Sequence, residues 1–463
     1  MSALWSRDEA VAATGGRSVV DWQAHGVSID TRSLKKGDLF VALSATRDGH
    51  DFVAQALKKG AAAALVSRIP AGLENAPLLL VPDVLKGLEA LGIAARARTQ
   101  ARVIAITGSV GKTGSKEMLR VALAGQGHIH VAEKSYNNHE GVPLTLARMP
   151  QDTDIAVIEI GMNHAGEIAP LARMARPHVA LITTVAPVHL AAFSSVNEIA
   201  FEKGDIFKGL EPNGIAVLNA DIESYPILAK AAEGAKIIRF GQSGDCDFRL
   251  VSCDVGRGAT VVRAKAPIGD IIFKLGGEGA HLAQNAVGVL AGLYALRADL
   301  GRATLELASW HPPEGRGARQ DIALGPEGMD GYFTLIDESY NANPASTRAA
   351  LATLAKQPGR KVAILGDMLE LGKTASSLHK ALASTLGIDI VHTVGPLMAR
   401  VPFENRGLNA ETSVELSRRI GRQILPGDVV MVKGSLGMDM AKIIDVLKNL
   451  SDAGPSTDSK GVE

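Results

Sequence analysis

Cysteine is nearly absent: Cys246 and Cys253 are the only two in 463 residues. Two cysteines cannot build a disulfide framework, and these two lack the paired pattern of a thiolate metal site, so both are expected as reduced thiols. Net charge is absent as well. Lys plus Arg and Asp plus Glu stand at 49 each, which leaves no bulk charge to hold a nucleic acid or a membrane surface. A local basic pocket for phosphates stays open. No apolar run approaches the ~20 residues needed to span a bilayer. The N-terminal MSALWSRDEA has no basic stretch followed by an apolar one, so no secretory signal is expected there. No repeat of fixed period is present. The cytoplasm is the expected compartment, with a monomer expected and neither nucleic-acid nor membrane partners.

What is present is the composition of a soluble globular protein, 46% hydrophobic and 21% charged. At roughly 100–200 residues per domain, two to four domains are expected. Short apolar runs alternate with helical patterns, which marks a parallel α/β architecture. The runs Val103–Ile106, Ile155–Ile158, Val179–Ile182, Ile215–Leu218, Val362–Leu365 and Val429–Val432 are apolar at every position. Such runs suit strands covered by helices on both faces.

Three blocks emerge: residues 1–98, 99–312 and 313–450, with a polar tail 451–463 expected to be disordered. Leu85–Gln100 reads as the helix closing the first block. Within the second, residues 247–275 alternate with glycine punctuation, which suggests a small antiparallel insert, and a helix follows over His281–Leu296. His311-Pro312-Pro313-Glu314-Gly315 has the composition of a hinge.

The strongest motif is Thr107-Gly108-Ser109-Val110-Gly111-Lys112-Thr113. It follows an apolar strand and precedes a helical pattern, the setting a phosphate loop requires. Its glycines let backbone N–H groups face phosphates, and the helix N-terminus adds partial positive charge. Lys112 can bridge the terminal phosphates, and the Thr113 hydroxyl can ligate magnesium. The spacing G-x-x-G-K-T is shorter than the usual G-x-x-x-x-G-K-[ST].

Three further residues stand out. Glu159 closes an all-apolar strand, where a carboxylate must be paired or metal-bound to offset its desolvation. Parallel sheets place ligands beyond that end of their strands. His189 follows another strand; on its own it reads equally as a surface or core histidine. Lys203 falls in an apolar helical stripe with Ile199, Ile206, Phe207 and Leu210. It either snorkels to solvent or stays buried, where a neutral amine is favoured.

The short loop resembles that of the Mur ligases and the related folylpolyglutamate synthetases. Ser135-Tyr136-Asn137-Asn138, Ile158–Asn163, Thr183–His189, Asp337–Pro344 and Leu365–Gly372 carry the resemblance to the Mur ligases across all three blocks. It implies a three-domain α/β architecture: a uridine-nucleotide domain, a central P-loop ATPase domain with a parallel sheet, and a C-terminal Rossmann-like domain. The implied activity is ATP-dependent amide ligation through an acyl phosphate. The implied substrates are UDP-N-acetylmuramoyl-tripeptide and D-alanyl-D-alanine. The alternatives are the ligase adding the third amino acid, whose D-N-P-R segment is missing here, and a P-loop kinase or NTPase.

The resemblance also implies residue roles. Glu159 would bind a magnesium ion near the γ-phosphate, and His189 with a carbamylated Lys203 would bind a second. Asn285, Arg316, Asp337 and Glu338 would join Thr107–Thr113 around ATP. Thr31, Arg32, Asp48 and His50 would bind the uridine nucleotide, with Asn137 and Asn138 along the sugar–peptide site. The chain departs from the family pattern at Gly114 (usually Ser or Thr), Leu282 (often Asn), Glu338 (usually Asp) and Leu436 (often Arg).

Overall fold

The computed structural model describes residues 3–44, 46–325, 328–384 and 387–450; the tail expected to be disordered lies outside them. Beside a short antiparallel pair, Trp5–Ser6 with Gln23–Ala24, the described residues form three larger sheets, each with its own helices.

The first is a four-stranded parallel sheet in chain order: Gly26–Ser28, Asp38–Val41, Ala63–Val66 and Leu78–Leu80. The helix Val84–Arg98 closes it, and the next strand begins at Arg102. That helix lies against the helix Gly141–Ala147 so closely that a Cβ on Gly92 would come 3.0 Å from the Pro143 carbonyl oxygen. The indole of Trp5 donates to the Ala147 carbonyl at 2.8 Å. The first sheet is thus fastened to the second.

The second sheet has nine strands, in the order 269–276, 259–266, 248–256, 236–241, 215–219, 179–182, 102–107, 155–159 and 129–131. All pairings from 129–131 through 248–256 are parallel. The antiparallel stretch expected as an insert is instead the far edge of this sheet, joined to it where Phe240 pairs with Phe248. Alternation along each strand sends successive residues to opposite faces. Ile104, Ile106, Val157 and Leu181 pack against Met118, Leu119 and the helix Ala280–Ala295. Val103, Ala105, Ala156, Ile158 and Ile182 pack against Ile168, Leu171, Ile199 and Ile206 on the other face. Two covered faces explain the uninterrupted apolar runs.

The third sheet runs 318–323, 332–338, 429–433, 361–366, 390–394, 406–410, with only the first strand antiparallel. Among the described residues, no helix is long and apolar enough to cross a membrane.

One buried group in this sheet makes a prediction about stability. The His392 ring is 1% exposed, its Nδ1 accepts the Leu408 N–H at 2.8 Å, and its Nε2 has no partner. Burial, with the charge of Arg360 adding, pushes it from 6.5 to about 4. The unfolded chain takes up a proton here near pH 6.5, the folded chain only near 4. Stability therefore falls as pH drops through that window, by up to ~3 kcal/mol from this group. In His392→Asn, whose amide oxygen can accept the same N–H, urea melts at pH 7 and 4.5 are expected to differ less than in the parent. An equal pH loss in both proteins rejects this account.

Candidate active site at the edge of the central sheet

The strands ending at Thr107, Glu159 and Ile182 finish at one edge of the sheet, and the phosphate loop rises from it. Two glycines are required there. Gly108 has φ +153°, and a Cβ on it would meet the Thr183 hydroxyl at 2.0 Å; Gly111 has φ +85° and abuts the Asn285 amide at 2.8 Å. The loop is tied to the neighbouring strand's extension. Ser109 N–H donates to Thr184 O (2.8 Å), the Ser109 hydroxyl accepts from Ala186 N (3.0 Å), and the Thr183 hydroxyl donates to Val110 O (2.7 Å). The helix begins at Lys112. Its ammonium folds back onto Gly108 O at 2.5 Å. Burial lowers the Lys112 pKa to about 8; Glu159 opposes that shift and Arg316 adds to it. Among the described residues Lys112 makes no ion pair, and it stands at the start of a helix, where an anion is favoured.

Glu159 is 2% exposed. One carboxylate oxygen accepts from the Thr113 hydroxyl (3.1 Å) and the Asn137 amide (2.7 Å). The other is buried with no hydrogen-bond partner. An unpartnered buried carboxylate oxygen is costly and signals a missing ligand. Among the described residues no three His, Cys, Asp or Glu side chains converge on one point. A hard cation here would draw oxygen from Glu159 and Thr113 and take the rest from phosphate and water, the usual arrangement for magnesium. The donor set fits that ion.

Lys203 lies within the helix Val196–Gly204 at 1% exposure. Its amine is 3.8 Å from the Met162 sulfur. Burial first, then the charge of Lys112, pushes its pKa well down, against the opposing Glu202 carboxylate. The side chain stays inside rather than snorkelling out. The His189 pKa is lowered by burial, with Glu370 opposing and both Lys112 and Lys203 adding. The charges of Lys112 and Lys203 thus both act on His189.

Arg316, at the hinge, stacks on the Tyr340 ring at 4.0 Å and lies near enough to influence Lys112. Stacking occupies its face, and among the described residues its N–H fork makes no hydrogen bond. Beside it is a cavity of about 390 Å³, lined by His281, Leu282, Arg316, Gly317, Glu278 and Glu338 among others. Asp337 does not face it as a free acid: its carboxylate accepts from Gly315 N (3.0 Å) and from Ser339 N and Oγ (3.0 and 2.6 Å). It braces the hinge. Glu338 pairs with the buried Lys433 at 3.0 Å.

In the first domain the 30–32 turn is closed on itself. Arg32, largely exposed, bonds the Asp30 carboxylate, and the Thr31 hydroxyl donates to Gln55 at 3.3 Å. Asp48 accepts from His50 N (3.0 Å) and contacts the His50 ring and Arg68. Among the described residues, Asp48 and His50 make their side-chain hydrogen bonds to one another and to Ser44, Ser67 and Arg68 of the first domain. Asn137 is bound to Glu159, whereas Asn138 accepts from Gly141 N at 2.8 Å, at the start of the next helix.

Two features escaped the sequence. Lys116, fully buried, donates to Ala132 O (2.7 Å) and Lys134 O (3.2 Å) and so fixes the stretch carrying Asn137. Glu278 binds Arg319 (2.6 Å) and Gln357 (2.6 Å) across the second and third sheets. A buried-face lysine next to the loop lysine was the only available sign of the former; nothing local marks the latter.

Comparison with known proteins gives three matches to family models. The Mur ligase middle domain covers residues 106–293, the Mur ligase glutamate ligase domain 327–436, and the Mur ligase family catalytic domain 23–133. The chain belongs to the Mur ligase family. It is 36% identical to the UDP-N-acetylmuramoyl-tripeptide–D-alanyl-D-alanine ligase of Escherichia coli, over 91% of this chain and 93% of that one. Identity to the Bacillus subtilis enzyme of that name is 32%, over 91% and 92%. Among solved structures, MurF from Acinetobacter baumannii aligns with a TM-score of 0.84 at 29% identity, over 96% of this chain and 99% of that one. MurF from Thermotoga maritima in complex with ADP aligns at 0.76 and 25%, over 92% and 97%.

The departures of this Mur ligase have local explanations. A Cβ on Gly114 would meet nothing within 4 Å, so its lack of a hydroxyl carries no packing demand. Leu282 gives the cavity an apolar wall where an amide is often found. The extra methylene of Glu338 reaches Lys433, which also donates to Asn341 O at 3.0 Å. Leu436 is exposed and follows Ser435, whose hydroxyl accepts from Leu369 N at 2.8 Å.

Proposed function

We propose that this chain joins the terminal carboxylate of UDP-N-acetylmuramoyl-tripeptide to the amine of D-alanyl-D-alanine, consuming ATP. The observation that carries the reading is an incompletely hydrogen-bonded Glu159 beside the loop of Lys112, with the buried Lys203 and the hinge Arg316 both within electrostatic reach of Lys112. The likeness to ligases of that name over more than nine-tenths of both chains supports it.

A peptide carboxylate oxygen attacks the γ-phosphorus, and the bond to the β–γ bridging oxygen breaks to leave ADP. Lys112 and the loop amides stabilise the charge on the transferring phosphoryl group. Arg316 supplies a further positive charge from the hinge side. The dipeptide amine then attacks the acyl carbon, loses a proton, and expels inorganic phosphate. Holding the reactants in line supplies roughly 7–11 kcal/mol of the barrier reduction. Thr113 and Glu159 are the residues that would hold magnesium, which when bound neutralises phosphate charge; His189 and Lys203 would hold a second ion.

Burial pushes the Lys203 pKa well down, which favours the neutral amine that reacts with carbon dioxide to give a carbamate anion and one released proton. We read Lys203 as modified in this way, which would add an anionic oxygen ligand to the second ion. The nucleotide substrates fit a cytoplasmic reaction, and we read the protein as acting as a monomer.

The test is phosphate release by purified protein with ATP and magnesium, adding the tripeptide nucleotide and the dipeptide singly and together. Release that requires both, with a pentapeptide product by mass, is the expected result. Release with the dipeptide-stage nucleotide and a diamino acid instead would reassign the chain to the ligase that adds the third residue.

A further inference from the structure

His189 and Glu370 belong to different domains and are 181 residues apart, yet the His189 Nδ1 lies 2.7 Å from a Glu370 carboxylate oxygen. His189 sits between the strand Val179–Ile182 and the helix Val196–Gly204; Glu370 follows the strand Lys361–Gly366 of the third sheet. Three more observations show that this is a shaped contact. The Ala191 N–H donates to Glu370 O at 3.1 Å. His189 and Glu370 both hold left-handed backbone, at φ +53° and +63°, conformations that a non-glycine residue keeps only when its surroundings over-determine them. Gly372, at φ +55°, lets the third-domain loop approach: a Cβ there would come 2.9 Å from Leu190 O.

We infer that Glu370 is a positioning residue that orients the His189 ring from the third domain. A carboxylate beside Nδ1 makes that nitrogen the donor, so Nε2 keeps its lone pair and points to the other end of the ring. That is the arrangement that fixes a ligating histidine's tautomer and direction. The Glu370 side chain is 63% exposed, so as a bare ion pair it would matter little. Its effect is geometric. Because it comes from the third domain, His189 is presented when that domain is docked, which links domain position to the reacting centre.

This inference rests on the reading of His189 as a metal-binding residue, and the experiment separates the two. Manganese binding to the protein with ADP is titrated by electron paramagnetic resonance for the parent, His189→Ala, Glu370→Ala and Glu370→Gln. Magnesium dependence of phosphate release is recorded alongside, and melting curves check folding. Glu370→Ala is expected to weaken ion binding ~10- to 100-fold, in line with loss of an orienting partner. Glu370→Gln, which keeps an acceptor for the ring N–H, is expected to stay within a few-fold of the parent. If His189→Ala weakens binding and Glu370→Ala does not, the positioning role is wrong. If His189→Ala leaves binding unchanged, the ligand reading fails and takes this inference with it.

Discussion

Lys203→Met is expected to abolish ligation and, in the same protein, to raise thermal stability. Lys203 is buried on a helix beside the buried Ile199, Ala200, Ile206 and Phe207, and among the described residues its amine's hydrogen bond is to the Met162 sulfur, at 3.8 Å. A buried amine left without a proper partner costs roughly 1–3 kcal/mol. Methionine is unbranched and of similar length, so it can fill the same space without that cost. In bicarbonate-depleted, metal-free buffer the variant should therefore melt a few degrees higher, taking about 2–4 °C per kcal/mol for a domain of this size. Catalysis should fall about 10³-fold or more, the scale of losing one preorganised electrostatic group. Phosphate release and calorimetry on the same preparation decide the matter. A variant with a tenth of parental activity would remove Lys203 from the mechanism, and a lower melting point would mean its amine is better satisfied than its surroundings show.

Lys112→Met is expected to lower kcat/KM for ATP by about 10³-fold with little change in melting temperature. Among the described residues the Lys112 ammonium bonds to Gly108 O alone, and its charge is disfavoured by burial and by Arg316. The fold gains little from it, whereas the γ-phosphoryl group would gain a direct cation. Lys112→Arg should not restore activity. The loop is closed at Gly108 by Thr183 and at Gly111 by Asn285, and a planar guanidinium cannot take the place of a compact ammonium there. Steady-state rates with each variant, and ADP affinity by calorimetry, test this. Near-parental turnover in Lys112→Met would remove the loop lysine from phosphoryl transfer.

Much of this architecture was legible in the chain. Strands covered on both faces must be apolar at every position, so Val103–Ile106 and Val429–Val432 declared themselves without any partner. The phosphate loop was equally visible because strand, glycine turn and helix are contiguous. Glu159 was visible as a carboxylate where apolar residues were required. Lys203 was visible as a lysine in an apolar stripe, although its sequence left snorkelling open.

Other features were settled only by packing. Residues 247–275 alternate as an antiparallel hairpin should, but alternation says nothing about which strand lies alongside, and Phe240–Phe248 pairing made them part of the main sheet. Asp337 and Glu338 are adjacent, yet one braces Gly315 and the other binds Lys433. Successive residues on a strand face opposite ways, so their partners come from different elements. Asn137 and Asn138 diverge likewise, one to Glu159 and one to a helix start. By itself the sequence determined the strands, the phosphate loop and the family, because hydrophobic periodicity and short motifs act over a few residues. Tertiary structure alone decided that His189 meets Glu370, that Glu278 meets Arg319, and that Arg316 stacks on Tyr340, since such contacts depend on how the chain packs.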